Sequence, residues 1–347
     1  MSFSRLRRIQ GNGLLCRYSL HGFLPPPANR PGRPGGSIAG CPPAPRFPDS
    51  GVCLKGDGHK VPNMPGSIRA IAAAILLLTS LEAPALIIRF DYGHDSAGFF
   101  TSERRNTLEQ AGDWIGSHLA DTLDAATYTT IQYEDPENPS GPALSSSPFT
   151  IPAGELRVFV GSALHSGSVL ATGGPGTGLA LPPEVFRGQP GVASGTDFAP
   201  WGGVISFDRD SSWYFDQDTT TDEPFSGFDF YSVALHELGH VIGFGTAPSW
   251  NKKVSGGSFI GAAATALYGG PVPLAGGSHW QDGLASNGLE TAMDPTIAAG
   301  VRKRFTPLDL AGLQDIGWEV TAVPLPAPLF LLATLLPLLF SRRLRTA

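Results

Sequence analysis

The chain has 347 residues, of which 41% are hydrophobic and 16% charged, enough apolar material for one large domain or two ordinary ones, and this excludes a wholly disordered protein. Formal charge is −6 overall, but residues 86–321 hold 27 acidic against 11 basic side chains, a formal −16 that argues against a nucleic-acid partner and suits solubility outside the cell. The three cysteines, Cys16, Cys41 and Cys53, all precede Met64 and match neither a zinc nor a disulfide pattern, so they are assigned no function.

Residues 1–63 carry Pro25-Pro26-Pro27, Pro34-Gly35-Gly36 and scattered arginines without apolar periodicity of 2 or 3.6 residues. Such a segment reads as a disordered Pro/Gly-rich leader. At Met64 the character changes: Arg69 supplies a positive charge, Ala70 to Leu78 is an unbroken apolar run, and Ala83-Pro84-Ala85 is a small-x-small triplet. These are the three parts of a secretory signal peptide in order, so residues 64–85 are expected to be removed, translation to begin at Met64, and the exported domain to begin near Leu86.

Within residues 86–321, Leu86 to Phe90 reads as a first strand. Ser102 to about Ala126 reads as an amphipathic helix, with Leu108, Ala111, Ile115, Leu119 and Leu123 at helical spacing. Strands are expected at Thr129–Tyr133, Leu156–Val160 and Val204–Phe207, separated by loops rich in Gly, Pro and Ser. The run Asp208, Asp210, Asp216, Asp218 and Asp222 offers oxygen ligands of the kind Ca²⁺ takes, but it lacks EF-hand spacing and reads first as a solvated acidic loop.

Phe230 to Phe244 is the next expected helix, with Asp229 as N-cap and Gly243 and Gly245 ending it. It contains His236-Glu237-Leu238-Gly239-His240, the HExxH arrangement. Four helical residues turn the chain by about 400°, so both imidazoles project from one face and can bind one Zn²⁺. Glu237 points elsewhere and can act as general base toward a water that the metal activates, passing the proton on to a departing amine. A structural zinc site would close with four protein ligands and has no use for the glutamate.

A catalytic zinc needs a third protein ligand. The metzincin pattern HExxHxxGxxH continues here as far as Gly243, but Thr246 stands where the third histidine would be, so a strict matrixin-like or astacin-like site is excluded. One histidine follows His240, namely His279 in Gly276-Gly277-Ser278-His279-Trp280. With Leu289-Glu-Thr-Ala-Met293-Asp-Pro295 and Leu313-Gln-Asp-Ile-Gly-Trp318 downstream, this arrangement resembles the leishmanolysin-like metzincins. The resemblance implies that an insertion separates the glycine from the third ligand His279, that Met293 is the Met-turn beneath the metal, and that a closing helix follows. It is most specific from about Phe228 to Val320. The insertion is shorter than in leishmanolysin and residues 86–321 lack its cysteines, which suggests a bacterial branch of the group. Gly202 to Phe207 resembles that family's edge strand, along which an extended peptide could pair; a plain core or edge strand reads equally well. Glu290 is the rival third ligand, though Gly288 and Pro295 bracket it with helix breakers.

Thr306-Pro307 opens a further helix to about Ile316, stopped by Gly317. Val320 to Phe340 holds no charged residue and is followed by Arg342, Arg343 and Arg345. Helix from about Pro326 would span only about 22 Å, short of the ~30 Å hydrocarbon core. Val323-Pro-Leu-Pro-Ala327 with this run and the arginines resembles the VPLPA variant of the PEP-CTERM sorting signals, which implies processing by an exosortase, transient membrane association and delivery to the surface of a Gram-negative bacterium or beyond. The reading is an α+β, metzincin-like zinc endopeptidase acting on protein substrates at residues 86–321, with residues 322–347 as sorting or anchor segment. The alternatives are a zinc-binding surface or extracellular-matrix protein without turnover and a structural-zinc binding module.

Overall fold

The computed structural model describes residues 4–8, 86–179 and 198–321. All belong to one of the two compact units into which the chain divides, Met1–Gly11 together with Glu82–Ala347. The expected signal peptide, the sorting segment 322–347 and the leader beyond Arg8 lie outside the described residues. Among the described residues no helix is long and apolar enough to cross a membrane.

The centre is a six-stranded mixed sheet built from β1 (Ser4–Arg8), β2 (Ile87–His94), β3 (Glu155–Ala163), β4 (Val169–Pro175), β5 (Gly202–Asp208) and β6 (Thr296–Ile297), in the spatial order β6-β1-β4-β5-β3-β2. β2, β3 and β5 run parallel, β4 is antiparallel to β5, and β1 pairs antiparallel with β4 and parallel with β6. β1 lies within the segment expected to be a Pro/Gly-rich leader; backbone pairing with β4 and β6, which needs no apolar alternation, holds these five residues.

Two layers cover the central strands. Val158, Val160, Ile205 and Phe207 join a core formed with helices α1 (Ser102–His118) and α2 (Phe230–Val241), while Phe159 and Val204 join a second cluster containing Tyr133, Phe149, Ile151 and Trp201. Alternation along β3 and β5 sends neighbouring side chains into opposite layers, and because both layers are apolar all seven residues of β5 are buried. Gly202–Asp208 is therefore an interior strand: of the two readings the sequence allows, the core strand holds and the edge strand does not, because β4 covers its open side.

Helix α1 is capped by Thr101, whose hydroxyl accepts from the Arg104 amide, and it ends at His118, about eight residues earlier than the spacing predicts. There the backbone turns to pair with the C-terminal segment, through Ala120 N–H to Glu319 O at 2.7 Å and Thr321 N–H to His118 O at 3.0 Å. Leu119, in extended backbone, and Leu123 are buried all the same. Helix α3 (Pro307–Asp315) begins with a capping box between Thr306 and Asp309 and ends at Gly317 with φ of +119°.

Candidate metal centre

Helix α2 starts where Asp229 caps it, accepting from the Ser232 amide at 3.2 Å, and Arg302 grips both Asp229 oxygens at 2.9 and 3.0 Å. Every residue of the helix is buried. It stops because Gly243 and Gly245 take φ of +105° and +71°, turning the chain away directly after His240. A Cβ on Gly245 would overlap the Ser278 carbonyl, so this glycine also lets the strand carrying His279 come up against the turn.

The segment between Gly245 and His279 builds its own support. Phe244, Trp250, Phe259 and Trp280 pack with ring centroids 4.1 to 5.6 Å apart. Trp250 donates from its indole to Gly277 O at 2.9 Å, and His279–Trp280 pairs as a strand with Val272–Ala275. The Asp315 carboxylate accepts from the Ala263 and Ala264 amides, tying the short helix Ala262–Tyr268 to the end of α3.

The result is convergence of three imidazoles. His240 Nε2 lies 3.0 Å from His236 Nε2 and 3.1 Å from His279 Nε2. On the far side of each ring, His236 Nδ1 meets Ala292 O at 2.7 Å, His240 Nδ1 meets Phe244 O at 2.7 Å, and His279 Nδ1 meets Ser278 Oγ at 3.1 Å. A carbonyl can only accept, so at His236 and His240 Nδ1 carries the proton and Nε2 keeps its lone pair for the shared point. Burial, the largest influence, pushes His236 and His279 well below the usual imidazole range and His240 to about 4; the neighbouring rings push His236 and His279 further down. Neutral imidazoles are the form that binds metal. Four tetrahedral ligands at ~2.0 to 2.1 Å would sit about 3.4 Å from one another, so the observed spacing fits one Zn²⁺ with small outward adjustment. Among the described residues this group contains these three ligands, which leaves a fourth position open.

Glu237 is fully buried beside the histidines. Gly173 of β4 backs directly onto it: a Cβ there would meet Glu237 O, Oε2 and Cβ at 2.7, 2.8 and 2.9 Å. Met293 is fully buried under α2, where a Cβ on Gly239 would meet its sulfur at 2.5 Å. Glu290 stands outside the histidine group and pairs with Lys303 at 3.0 Å, while Asp294 pairs with the same Lys303. Burial, acting more strongly than Lys303, raises the Asp294 carboxyl to about 7.

Asp309, which sequence reasoning took only for a helix residue, ties the site together. Its Oδ1 accepts from Trp280 Nε1 at 3.0 Å and Met293 N at 3.2 Å; its Oδ2 accepts from Ala292 N at 3.1 Å, Thr306 N at 2.7 Å and Thr306 Oγ1 at 2.9 Å. One buried carboxylate thus joins the residue after His279, the loop that accepts from His236, and the start of α3. Its only mark in the sequence is its place three residues after Thr306. The acidic run disperses: Asp216 pairs with Arg302, Asp222 with Arg304, Asp208 accepts from Ser211, and Asp218 from Thr220.

Residues 182–250 match the model of the matrixin family of peptidases. Metalloendoproteinase 1 of Glycine max is 44% identical over 63 residues, 18% of this chain and 20% of that protein, so the chain spans about a fifth of the length of this relative. No solved structure matches the chain. The matched stretch includes β5, α2 and both HExxH histidines, and it stops before His279. Together these similarities support a metzincin-type zinc metallopeptidase.

Proposed function

We propose that this chain is a zinc-dependent endopeptidase of the leishmanolysin-like kind, with His236, His240 and His279 as ligands and Glu237 as general base. The observation that carries the reading is the meeting of three inward-facing Nε2 atoms with a buried glutamate on the same helix. A zinc ion held there would supply Lewis acidity toward a peptide carbonyl and toward the attacking water. Glu237, adjacent to His236 but directed toward β4, takes the proton from that water and delivers it to the departing amine. Met293 fills the floor under α2 and contributes shape rather than a ligand. The carbonyls of Ala292 and Phe244 hold two of the rings in the tautomer that turns Nε2 inward.

Export through the segment 64–85, exosortase processing of the tail 322–347 and delivery to the cell surface complete the proposal; they rest on the sequence patterns alone. The test is hydrolysis of a quenched peptide library by zinc-loaded protein, both full-length and beginning at Leu86. Cleavage that 1,10-phenanthroline stops and added zinc restores is expected. A folded chain with one zinc and no hydrolysis in either form would replace the peptidase with a zinc-binding surface protein.

A further inference from the structure

The segment that delivers His279 has a second, outward face. Its inner side is the aromatic bed of Phe244, Trp250, Phe259 and Trp280, with Ala264 and Val272 buried in the same core. Its outer side is apolar. Ile260, Leu267 and Tyr268 are 48%, 49% and 43% exposed, three of the six large hydrophobic side chains that stand exposed among the described residues. The helix Ala262–Tyr268 carries no charged side chain, and its Thr265 hydroxyl donates back to Ala262 O, so the helix has no polar face to turn to water. The turns around it project freely: a Cβ on Gly256, Gly257, Gly269 or Gly270 would meet nothing within 4 Å. Contiguous apolar surface held out on a rigid base marks a place where something docks.

Charge says what the occupant is. From Thr246 to Ser278 the chain holds two lysines and no acidic residue, within a domain of formal charge −16. Lys252 and Lys253 border the apolar face, since the Ile260 amide donates to Lys253 O at 2.8 Å, and neither ammonium pairs with a carboxylate among the described residues. Interfaces between proteins are depleted in lysine. Half-exposed aliphatic side chains edged by a tyrosine and lysines suit instead the boundary of an anionic bilayer, where lysine stems lie along apolar surface and the ammonium groups meet headgroups. Asp315, whose carboxylate accepts from the Ala263 and Ala264 amides, stands six residues before Thr321, at most about 20 Å of chain, and the uncharged run to Phe340 follows. We propose that Lys252, Lys253, Ile260, Leu267 and Tyr268 form a docking face for an anionic membrane surface, close along the chain to the point where the apolar tail leaves the domain. The docking does not depend on the peptidase reading.

Because the tail can hold the chain on vesicles by itself, the readout must be local. Amide exchange across residues 252–271 of the full chain is followed without vesicles, with phosphatidylcholine vesicles, and with vesicles that also contain about 30% phosphatidylserine. Exchange there is expected to slow at least about fivefold on the anionic vesicles and to stay unchanged on the neutral ones. Lys252→Gln/Lys253→Gln should remove that protection, at about fivefold per lysine, and Ile260→Ser/Leu267→Ser should do so by a similar factor for each half-exposed apolar side chain. Unchanged exchange in Phe230–Val241 certifies the fold of each variant, and the lysine pair, at the surface, serves if the apolar pair does not fold. No slowing on anionic vesicles overturns the proposal, whether or not the chain floats with them. Equal slowing on both kinds of vesicle, or slowing that both variants keep, also overturns it. Protection that grows with protein concentration in the absence of vesicles assigns the face to a second copy instead. Protection present without vesicles at every concentration, and lost on removal of residues 322–347, assigns it to the chain's own tail.

Discussion

Asp309→Asn is the substitution whose effect follows most directly from the geometry. The change keeps volume and one acceptor oxygen but replaces the other oxygen with an NH₂ group, and five donors now converge on the two oxygens. If the amide oxygen stays with Ala292 and Thr306, the NH₂ faces Trp280 Nε1 and the Met293 amide, leaving two buried donors without an acceptor. At about 1–3 kcal/mol for each unsatisfied buried group, the loss is about 2–6 kcal/mol, a large share of the stability of an ordinary domain. The opposite amide orientation strands the Ala292 and Thr306 amides and costs a similar amount. Because the same carboxylate fixes the loop that accepts from His236 and the tryptophan that follows His279, zinc affinity should fall by about tenfold or more. Urea unfolding with a chelator present gives the intrinsic change, and competition titration with a chelating dye gives the affinity. A variant within about 0.5 kcal/mol of wild type, with unchanged zinc affinity, would refute the assignment of Asp309 as the tie between loop, strand and helix.

Gly245→Ala places a side chain in the left-handed region and against the Ser278 carbonyl, at a combined cost of about 2–5 kcal/mol, and should show as weakened zinc binding because His279 is the next residue displaced. His279→Ala should lower zinc occupancy, whereas Glu290→Gln should leave it near wild type; the reverse result in elemental analysis would make Glu290 the ligand. For pH, the three imidazoles have folded pKa values depressed below the unfolded ~6.5, His240 to about 4 and His236 and His279 well below the usual range, so in zinc-free protein their contribution is intact above ~6.5 and is lost progressively as pH falls. Each imidazole that stays neutral only in the fold removes about 1.4 kcal/mol of stability per pH unit over that window. Flat stability between pH 6.5 and 4.5 in the zinc-free protein would contradict the buried neutral triad.

Much of the site was legible because its chemistry is local. His236, Glu237 and His240 sit on one helix whose cap, Asp229, and glycine stop, Gly243, stand in the sequence. His279 is the one histidine after His240, and its role as third ligand is what the resemblance of its Gly-Ser-His-Trp setting implies; what delivers it, the aromatic packing of Phe244, Trp250, Phe259 and Trp280, is a matter of tertiary contact. β4 escaped notice because Thr172-Gly173-Gly174-Pro175 reads as a loop; the glycine is there so that the strand can lie against Glu237, a reason visible only once the helix is in place. For the same cause the sequence leaves Gly202–Phe207 open between edge and core strand, since the strand that covers it carries no apolar alternation of its own. The spacing overextends helix α1 because Leu119 and Leu123 keep helical register while the backbone has already turned to pair with Glu319 and Thr321. Asp309 and β1 depend on partners 16 or more residues away in sequence, which periodicity does not report.

The central claim is that Glu237 performs chemistry at a zinc site that the histidines form without it. Zinc content and peptide hydrolysis are therefore measured together on Glu237→Gln and its wild-type parent. The account predicts about one zinc per chain in both proteins and a fall in kcat of at least about 10²-fold in the glutamine variant, for want of the base. Equal hydrolysis by the two proteins, at equal zinc content, would contradict it.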